Sequence, residues 1–134
     1  MPRYMLDTNM CIYLMKNQPP EVAARFSQCM VGDVVMSSIT YAELSFGVAV
    51  SSDTERNAKS LAALIQDIPV LPFDSNCGQA YGLIRLATRE SKKDALNELI
   101  AAHAATLKAV LVTNNEQYFQ KYPGIAVENW VNPA

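Results

Sequence analysis

The sequence is short of most residues that mark common catalytic sites. A single histidine and three cysteines (Cys11, Cys29 and Cys77) leave no CxxC pair and no zinc-ligand spacing. An odd cysteine count also argues against a disulfide framework, and such cysteines suit a reducing compartment as small buried apolar residues. The five glycines nowhere form a phosphate-cradling loop, and no Ser-His-Asp or Cys-His arrangement is marked out by spacing. No apolar run approaches the ~18–20 residues that cross a bilayer. Met1-Pro2-Arg3-Tyr4-Met5-Leu6 reaches Asp7 before a secretory apolar region can form. A soluble, cytoplasmic protein with no membrane partner is therefore expected. An excess of one charge is missing too: eleven Lys and Arg stand against thirteen Asp and Glu, a formal charge of -2. That excludes a strongly basic nucleic-acid coat, but not an enzyme with a local basic patch.

What is present is a chain of 134 residues, 50% hydrophobic, which fits one globular domain spanning 1–134 and large enough to fold without a staple. Short apolar strands alternate with helical segments. Strands are expected at Tyr4–Leu6, Val34–Met36, Val70–Leu71, Ala109–Thr113 and Ile125–Glu128. Helices are expected over Met10–Met15, Glu21–Gln28 behind Pro20, Thr40–Val50, a segment capped by Ser52-Asp53, Asp74 to about Glu90, Leu96–Leu107, and Asn114–Phe119. Tyr81, Ile84, Leu86 and Ala87 are expected to face the core, and Ser91–Ala95 reads as a connection. Strands separated by helical crossovers imply an α/β fold, a three-layer α/β/α sandwich with a central parallel sheet. In such sheets sites gather at the carboxyl ends of strands, which singles out Asp7, Ser37-Ser38 and Thr113-Asn114-Asn115.

Asp7 ends the first strand before two polar residues, and it reads equally as a metal ligand or as the cap of the next helix. Glu43 neighbours a face of Ile39, Ala42 and Phe46; standing alone it would read as a solvent-facing helix residue. Asp94 and Asn97 sit one turn apart at a helix start, where a capping box explains both. His103, alone among alanines, reads as a packed, hydrogen-bonded histidine. Arg85, Arg89, Lys92 and Lys93 fall at near-helical spacing, forming either a phosphate-binding stripe or a solvated helix end.

The ordered set of Tyr4-Met5-Leu6-Asp7-Thr8-Asn9, Ser37-Ser38-Ile39-Thr40-Tyr41-Ala42-Glu43-Leu44, Leu99-Ile100-Ala101-Ala102-His103-Ala104, Leu111-Val112-Thr113-Asn114-Asn115 with Phe119, and Val127-Glu128-Asn129-Trp130 resembles the PIN-domain ribonucleases. Within them it is most similar to the VapC toxins of bacterial VapBC toxin–antitoxin pairs. The resemblance spans essentially the whole chain. It implies a Mg²⁺- or Mn²⁺-dependent endoribonuclease toxin acting on structured RNA, with initiator tRNA the first candidate. It also implies a VapB-type antitoxin that wraps the toxin and inserts a basic side chain into the acidic pocket, and a homodimer. Ile12, Leu14, Met15, Phe26 and Met30 are candidates for groove or dimer contacts, with ordinary core packing as the plainer explanation.

By the resemblance, Asp7 and Glu43 match the first two family acids, Asn97 the third, and Asn115 the fourth polar position; Thr8 and Thr113 match hydroxyl residues that line the site. Asp7, Glu43 and Asn97 would hold the metal, and Arg85, Arg89, Lys92 and Lys93 would meet the RNA. Where the family has an aspartate, Asn97 supplies an oxygen but no charge, and it cannot act as a carboxylate base. The change reads first as an engineered inactivation, next as a natural weakened variant, and last as a loss made good by Asp94. This copy is accordingly expected to be inactive or weakened. The alternative is a catalytically silent PIN domain that acts by binding antitoxin or RNA. A small phosphotransfer or nucleotide-binding protein built on Asp7 is a more distant reading, because it lacks the glycine-rich loop and strand-end lysine.

Overall fold

The computed structural model describes residues 1–131; the last three positions of the expected 1–134 domain lie outside the described residues. Twelve elements follow in chain order: β1 (Tyr4–Leu6), α1 (Thr8–Lys16), α2 (Pro20–Phe26), β2 (Val34–Ser37), α3 (Ser38–Ala49), α4 (Thr54–Asp67), β3 (Val70–Leu71), α5 (Ser75–Ala87), α6 (Ala95–Leu107), β4 (Val110–Val112), α7 (Glu116–Phe119) and β5 (Ala126–Glu128). The strands form one sheet in the order β3-β2-β1-β4-β5, and every pairing is parallel.

Both faces of the sheet are covered, as a parallel sheet requires. Because side chains alternate along a strand, Tyr4, Leu6, Val34 and Met36 pack on one side with Met10, Val22, Leu44, Leu61 and Trp130. Met5, Val35 and Leu111 pack on the other with Ile84, Ile100, Ala102 and Phe119. Alanines on α6 let that helix lie close to the sheet. The result is the expected three-layer α/β/α sandwich.

Helix starts follow their capping residues. Asp7, Asp53 and Asp74 each accept the backbone N–H three residues on, opening α1, α4 and α5. Pro20 sits in the first turn of α2, where a missing N–H costs nothing. Asn17 closes α1 in the left-handed region at φ 55°.

One expectation about a helix face needs correction. Helix α5 ends at Ala87, short of Glu90, and both Leu86 and Ala87 are exposed; Ile84 and the caged hydroxyl of Thr88 turn inward instead. On α3 the buried positions are Thr40 and Leu44, while Ala42 is exposed and Phe46 is 69% exposed. The α3 segment is apolar nearly all round, so its sequence does not fix which face turns inward.

Candidate active site

The chain runs outward from β1 to β2 and β3, then returns to lay β4 on the other side of β1. The crevice where strand order reverses therefore lies between the carboxyl ends of β1 and β4, the usual site position in an open parallel sheet. Asp7 and Thr113 are the residues that immediately follow these two strands. Asp7 N–H donates to the Val112 carbonyl at 3.0 Å, and Thr113 N–H to the Glu128 carbonyl at 2.9 Å, which pins both to the sheet edge.

Asp7 is 5% exposed. Its Oδ1 accepts from Met10 N–H at 3.0 Å, so it does cap α1, and the capping and functional readings hold together. Burial pushes its carboxyl above the ordinary value; the Met10 N–H and the Thr113 hydroxyl pull it back, and the charge of Glu43 adds to the rise. Thr8 Oγ1, in the first turn of α1, donates to Glu43 Oε1 on α3 at 2.6 Å, orienting that carboxylate across the crevice. Thr8 thus ties Glu43 to the start of α1, next to Asp7 in the chain and near enough that its charge raises the Asp7 carboxyl. That arrangement is unfavourable by itself and favourable around a cation.

Cys11 lies one turn beyond Asp7 and is fully buried, and burial pushes its thiol well up, so it offers no nucleophile. His103 is buried, with Nδ1 2.7 Å from Ser37 Oγ and its ring edge-on to Phe73. It is the packed histidine expected, and burial holds it below its ordinary value.

The start of α6 is built differently from the expected Asp94–Asn97 capping box. Asp94 makes no side-chain cap hydrogen bond. Its Oδ2 instead accepts from Asn97 Nδ2 at 2.9 Å and from the Tyr118 hydroxyl at 2.7 Å. Partial burial works to raise the Asp94 carboxyl, but hydrogen bonds from Tyr118 and Asn97, with Lys121 nearby, hold it below its ordinary value. The reciprocal bond to the Asp94 N–H comes from Glu98 Oε1 at 3.0 Å. Asn97 lies in the first turn of α6, which runs back into β4, so it stands at the same sheet edge as Asp7. Asn115 caps α7 by position only; its N–H bonds Thr113 Oγ1 at 3.0 Å, and its exposed side chain makes no cap hydrogen bond.

Glu98 escaped notice in the sequence. It is 1% exposed, and its Oε2 meets Arg85 Nη1 at 3.0 Å and Thr88 Oγ1 at 3.5 Å. A glutamate in an alanine-rich segment was the only available signal. This pair removes Arg85 from the expected phosphate stripe, because its guanidinium is held inward to neutralise a buried carboxylate. Arg89 is exposed beside Glu90 at 3.8 Å, and Lys92 and Lys93 are exposed.

Could these residues hold the divalent cation that the family resemblance implies? Among the described residues no group of three or more His, Cys, Asp or Glu side chains is arranged around one point. Asp7 and Glu43 nevertheless bring two hard carboxylate donors together, with Thr8 and Thr113 hydroxyls beside them, which is oxygen chemistry suited to Mg²⁺ or Mn²⁺. The residues fit such an ion with one fewer charge than three carboxylates would supply.

A separate groove of about 310 Å³ runs along α1, α3 and α4, lined by Ile12, Met15, Gly47 and Val48 and reaching Glu43. Of the apolar residues expected at contacts, Ile12, Leu14, Met15 and Phe26 pack partly against the core, whereas Met30 is 78% exposed. No helix among the described residues is long and apolar enough to cross a membrane.

The PIN domain family matches residues 4–125. The tRNA(fMet)-specific endonuclease VapC of Salmonella typhimurium is 36% identical, over 97% of this chain and 99% of its own length. Ribonuclease VapC1 of Haemophilus influenzae is 38% identical, over 95% of this chain and 97% of its own. Among solved structures, DNA-bound VapBC from Salmonella typhimurium superposes with a TM-score of 0.89 at 36% identity, covering 97% of this chain and 99% of that one. The chain belongs to the VapC family of PIN-domain proteins.

Proposed function

We propose that this protein is the toxin of a VapBC-type toxin–antitoxin pair, an endoribonuclease that hydrolyses RNA phosphodiester bonds with Mg²⁺ or Mn²⁺, in a copy weakened or silenced at Asn97. The observation that carries the reading is the pairing of Asp7 with Glu43 across the strand-switch crevice, each fixed by its own hydrogen bond. The relative named as a tRNA(fMet)-specific endonuclease makes initiator tRNA the first substrate to try.

Asp7 and Glu43 would hold the ion, with the Asn97 carbonyl oxygen as a third, uncharged donor. When bound, the cation neutralises the carboxylates, polarises the phosphate and lowers the pKa of the attacking water. The chain's own residues do the positioning. The α1 cap immobilises Asp7, Thr8 turns Glu43 inward, the buried Thr113 hydroxyl is spent on Asp7 and the Asn115 N–H rather than open to substrate, and the exposed Asn115 side chain offers a hydrogen-bonding group for the phosphate. Asp94 is one hydrogen bond from Asn97, but its Oδ2 is taken by Asn97 and Tyr118, which argues against its replacing the missing acid.

The groove beside Glu43 is where an antitoxin segment would lie, with an apolar side chain against Ile12 and Met15 and a basic one reaching Glu43. A homodimer belongs to the same reading, with the exposed Leu83 and Leu86 on α5 offering apolar surface to a second copy. The second reading, a silent domain that only binds antitoxin or RNA, draws support from the uncharged amide at position 97. Incubation of a structured RNA with the protein in Mg²⁺ or in EDTA, beside Asp7→Ala, separates the two. Metal-dependent cleavage lost in Asp7→Ala supports the nuclease. RNA left intact both by the folded, Mg²⁺-supplied protein and by its Asn97→Asp variant supports the silent domain.

A further inference from the structure

The loop after α5 and the turn after α7 are remote in sequence, yet they meet at one open concavity of about 320 Å³ lined by Lys92, Lys93, Asp94, Tyr118 and Lys121. All three lysines are exposed, and among the described residues none forms an ion pair within 4.0 Å. Three ammonium groups face a single carboxylate, that of Asp94, which already accepts from two neutral donors. The wall carries an excess of positive charge over the one carboxylate that lines it.

The wall is also pre-set. Lys121 Nζ lies 4.1 Å from the Tyr118 ring centroid, the Tyr118 hydroxyl donates to Asp94 at 2.7 Å, and Asn97 donates to the same oxygen at 2.9 Å. A contiguous chain of contacts thus joins a cation at the surface to the amide at the edge of the site. An ammonium held over an aromatic face is positioned before a ligand arrives. The concavity has no glycine-rich loop to enclose a mononucleotide, and its openness and repeated cations suit a charged strand passing across it.

We propose that Lys92, Lys93 and Lys121, arranged around Tyr118, form a subsite for backbone phosphates of the RNA strand next to the scissile bond. This rests on the ribonuclease reading above and adds to it the path of the strand. Lys121 and Tyr118 thereby replace Arg85 in the basic surface. An acidic segment of a protein partner is the competing occupant.

The test is binding of fluorescein-labelled tRNA, with Ca²⁺ in place of Mg²⁺ and RNA integrity checked on a gel, across a salt titration. Lys121→Gln should weaken binding by roughly three- to tenfold, and each lysine removed should lower the salt slope by about one. Lys121→Arg should restore affinity, in the Asn97→Asp background Lys121→Gln should raise the KM for cleavage with kcat held, and Lys59→Gln, beside Glu55 on α4, should change nothing. Unchanged affinity and slope in the triple Lys→Gln protein, while the parent binds RNA and Asn97→Asp cleaves it, would overturn the subsite alone. Loss of antitoxin binding by the triple variant with RNA binding intact would overturn it in favour of the acidic segment. A parent protein that neither binds nor cleaves RNA would overturn the ribonuclease reading and the subsite together.

Discussion

Asn97 gives its amide hydrogen to Asp94 across 2.9 Å, so the residue proposed as the third, uncharged metal donor is itself bound to an acid one turn earlier. Asn97→Asp would put two carboxylates in that contact. Without metal the variant should lose about 1 kcal/mol of stability, the scale of a partly exposed charged hydrogen bond replaced by repulsion. With Mn²⁺ it should bind more tightly than the parent, since a charge joins those of Asp7 and Glu43. Calorimetry of unfolding and of Mn²⁺ titration reads both effects, and Asn97→Asp combined with Asp94→Asn should recover the lost stability. Equal Mn²⁺ affinity in parent and Asn97→Asp would contradict this placing of the metal.

Arg85 and Glu98 are structural. Glu98→Ala leaves a quarter-exposed guanidinium unpaired and removes the acceptor of the Asp94 N–H, and should cost roughly 2–4 kcal/mol, less than a fully buried pair because Arg85 keeps some solvent. Arg85→Ala should lower the midpoint of thermal unfolding while leaving RNA affinity per folded molecule within about twofold. A drop in affinity comparable with that of Lys121→Gln would return Arg85 to the RNA surface.

His103 provides the pH dependence. Burial holds its folded-state pKa below the ordinary 6.5, although Asp74 works to raise it. Between the folded and unfolded values the unfolded chain binds more protons, so stability falls as pH drops through 6.5 towards the folded value and is fully present above 6.5. The groups facing the ring are buried Ser37, within hydrogen-bond distance, and half-buried Phe73. Denaturant unfolding from pH 7.5 to 5 should show this decline (the range brackets the ~6.5 of a free histidine), and His103→Gln should flatten it. A slope unchanged in His103→Gln would assign the proton to another group.

Gly82 lies in α5, exposed, with ordinary helical backbone and nothing within 4 Å of an added Cβ. Gly82→Ala should therefore stabilise by about 0.5–1 kcal/mol. Gly47, equally open, lines the groove on α3, so Gly47→Leu should fill it and abolish antitoxin binding without lowering the unfolding midpoint. Co-purification with a cognate antitoxin checks this, and retained binding would move the antitoxin elsewhere.

Much of the architecture was legible because strand and cap signals are local. Apolar runs closed by Asp7, Ser37 or Thr113 announce both a strand end and the edge where a site forms, and the Asp53 and Asp74 caps fall where expected. Helix faces were less legible: an apolar segment such as α3 has no polar stripe to set its phase, so nothing in its sequence says that Phe46 faces outward. The site was legible in its two carboxylates and opaque in its long-range pairings. Nothing along the chain joins Lys121 to Lys92, or Arg85 to Glu98, because their meeting depends on how α5, α6 and α7 pack. The formal charge of -2 says little for the same reason, since it counts charges without saying which are paired inside and which stand free.

The central claim is that Asp7 and Glu43 make a metal-dependent RNA-cleaving site limited by the missing charge at position 97. The most direct measurement is the rate of tRNA cleavage in Mg²⁺ by the parent, by Asn97→Asp, and by Asn97→Asp combined with Asp7→Ala. The account predicts slow or absent cleavage by the parent, at least about a tenfold gain on Asn97→Asp, on the scale of a well-placed acid–base or ligand group, and loss of that gain when Asp7 is removed. An Asn97→Asp protein that is folded, loaded with metal and still inert would contradict it.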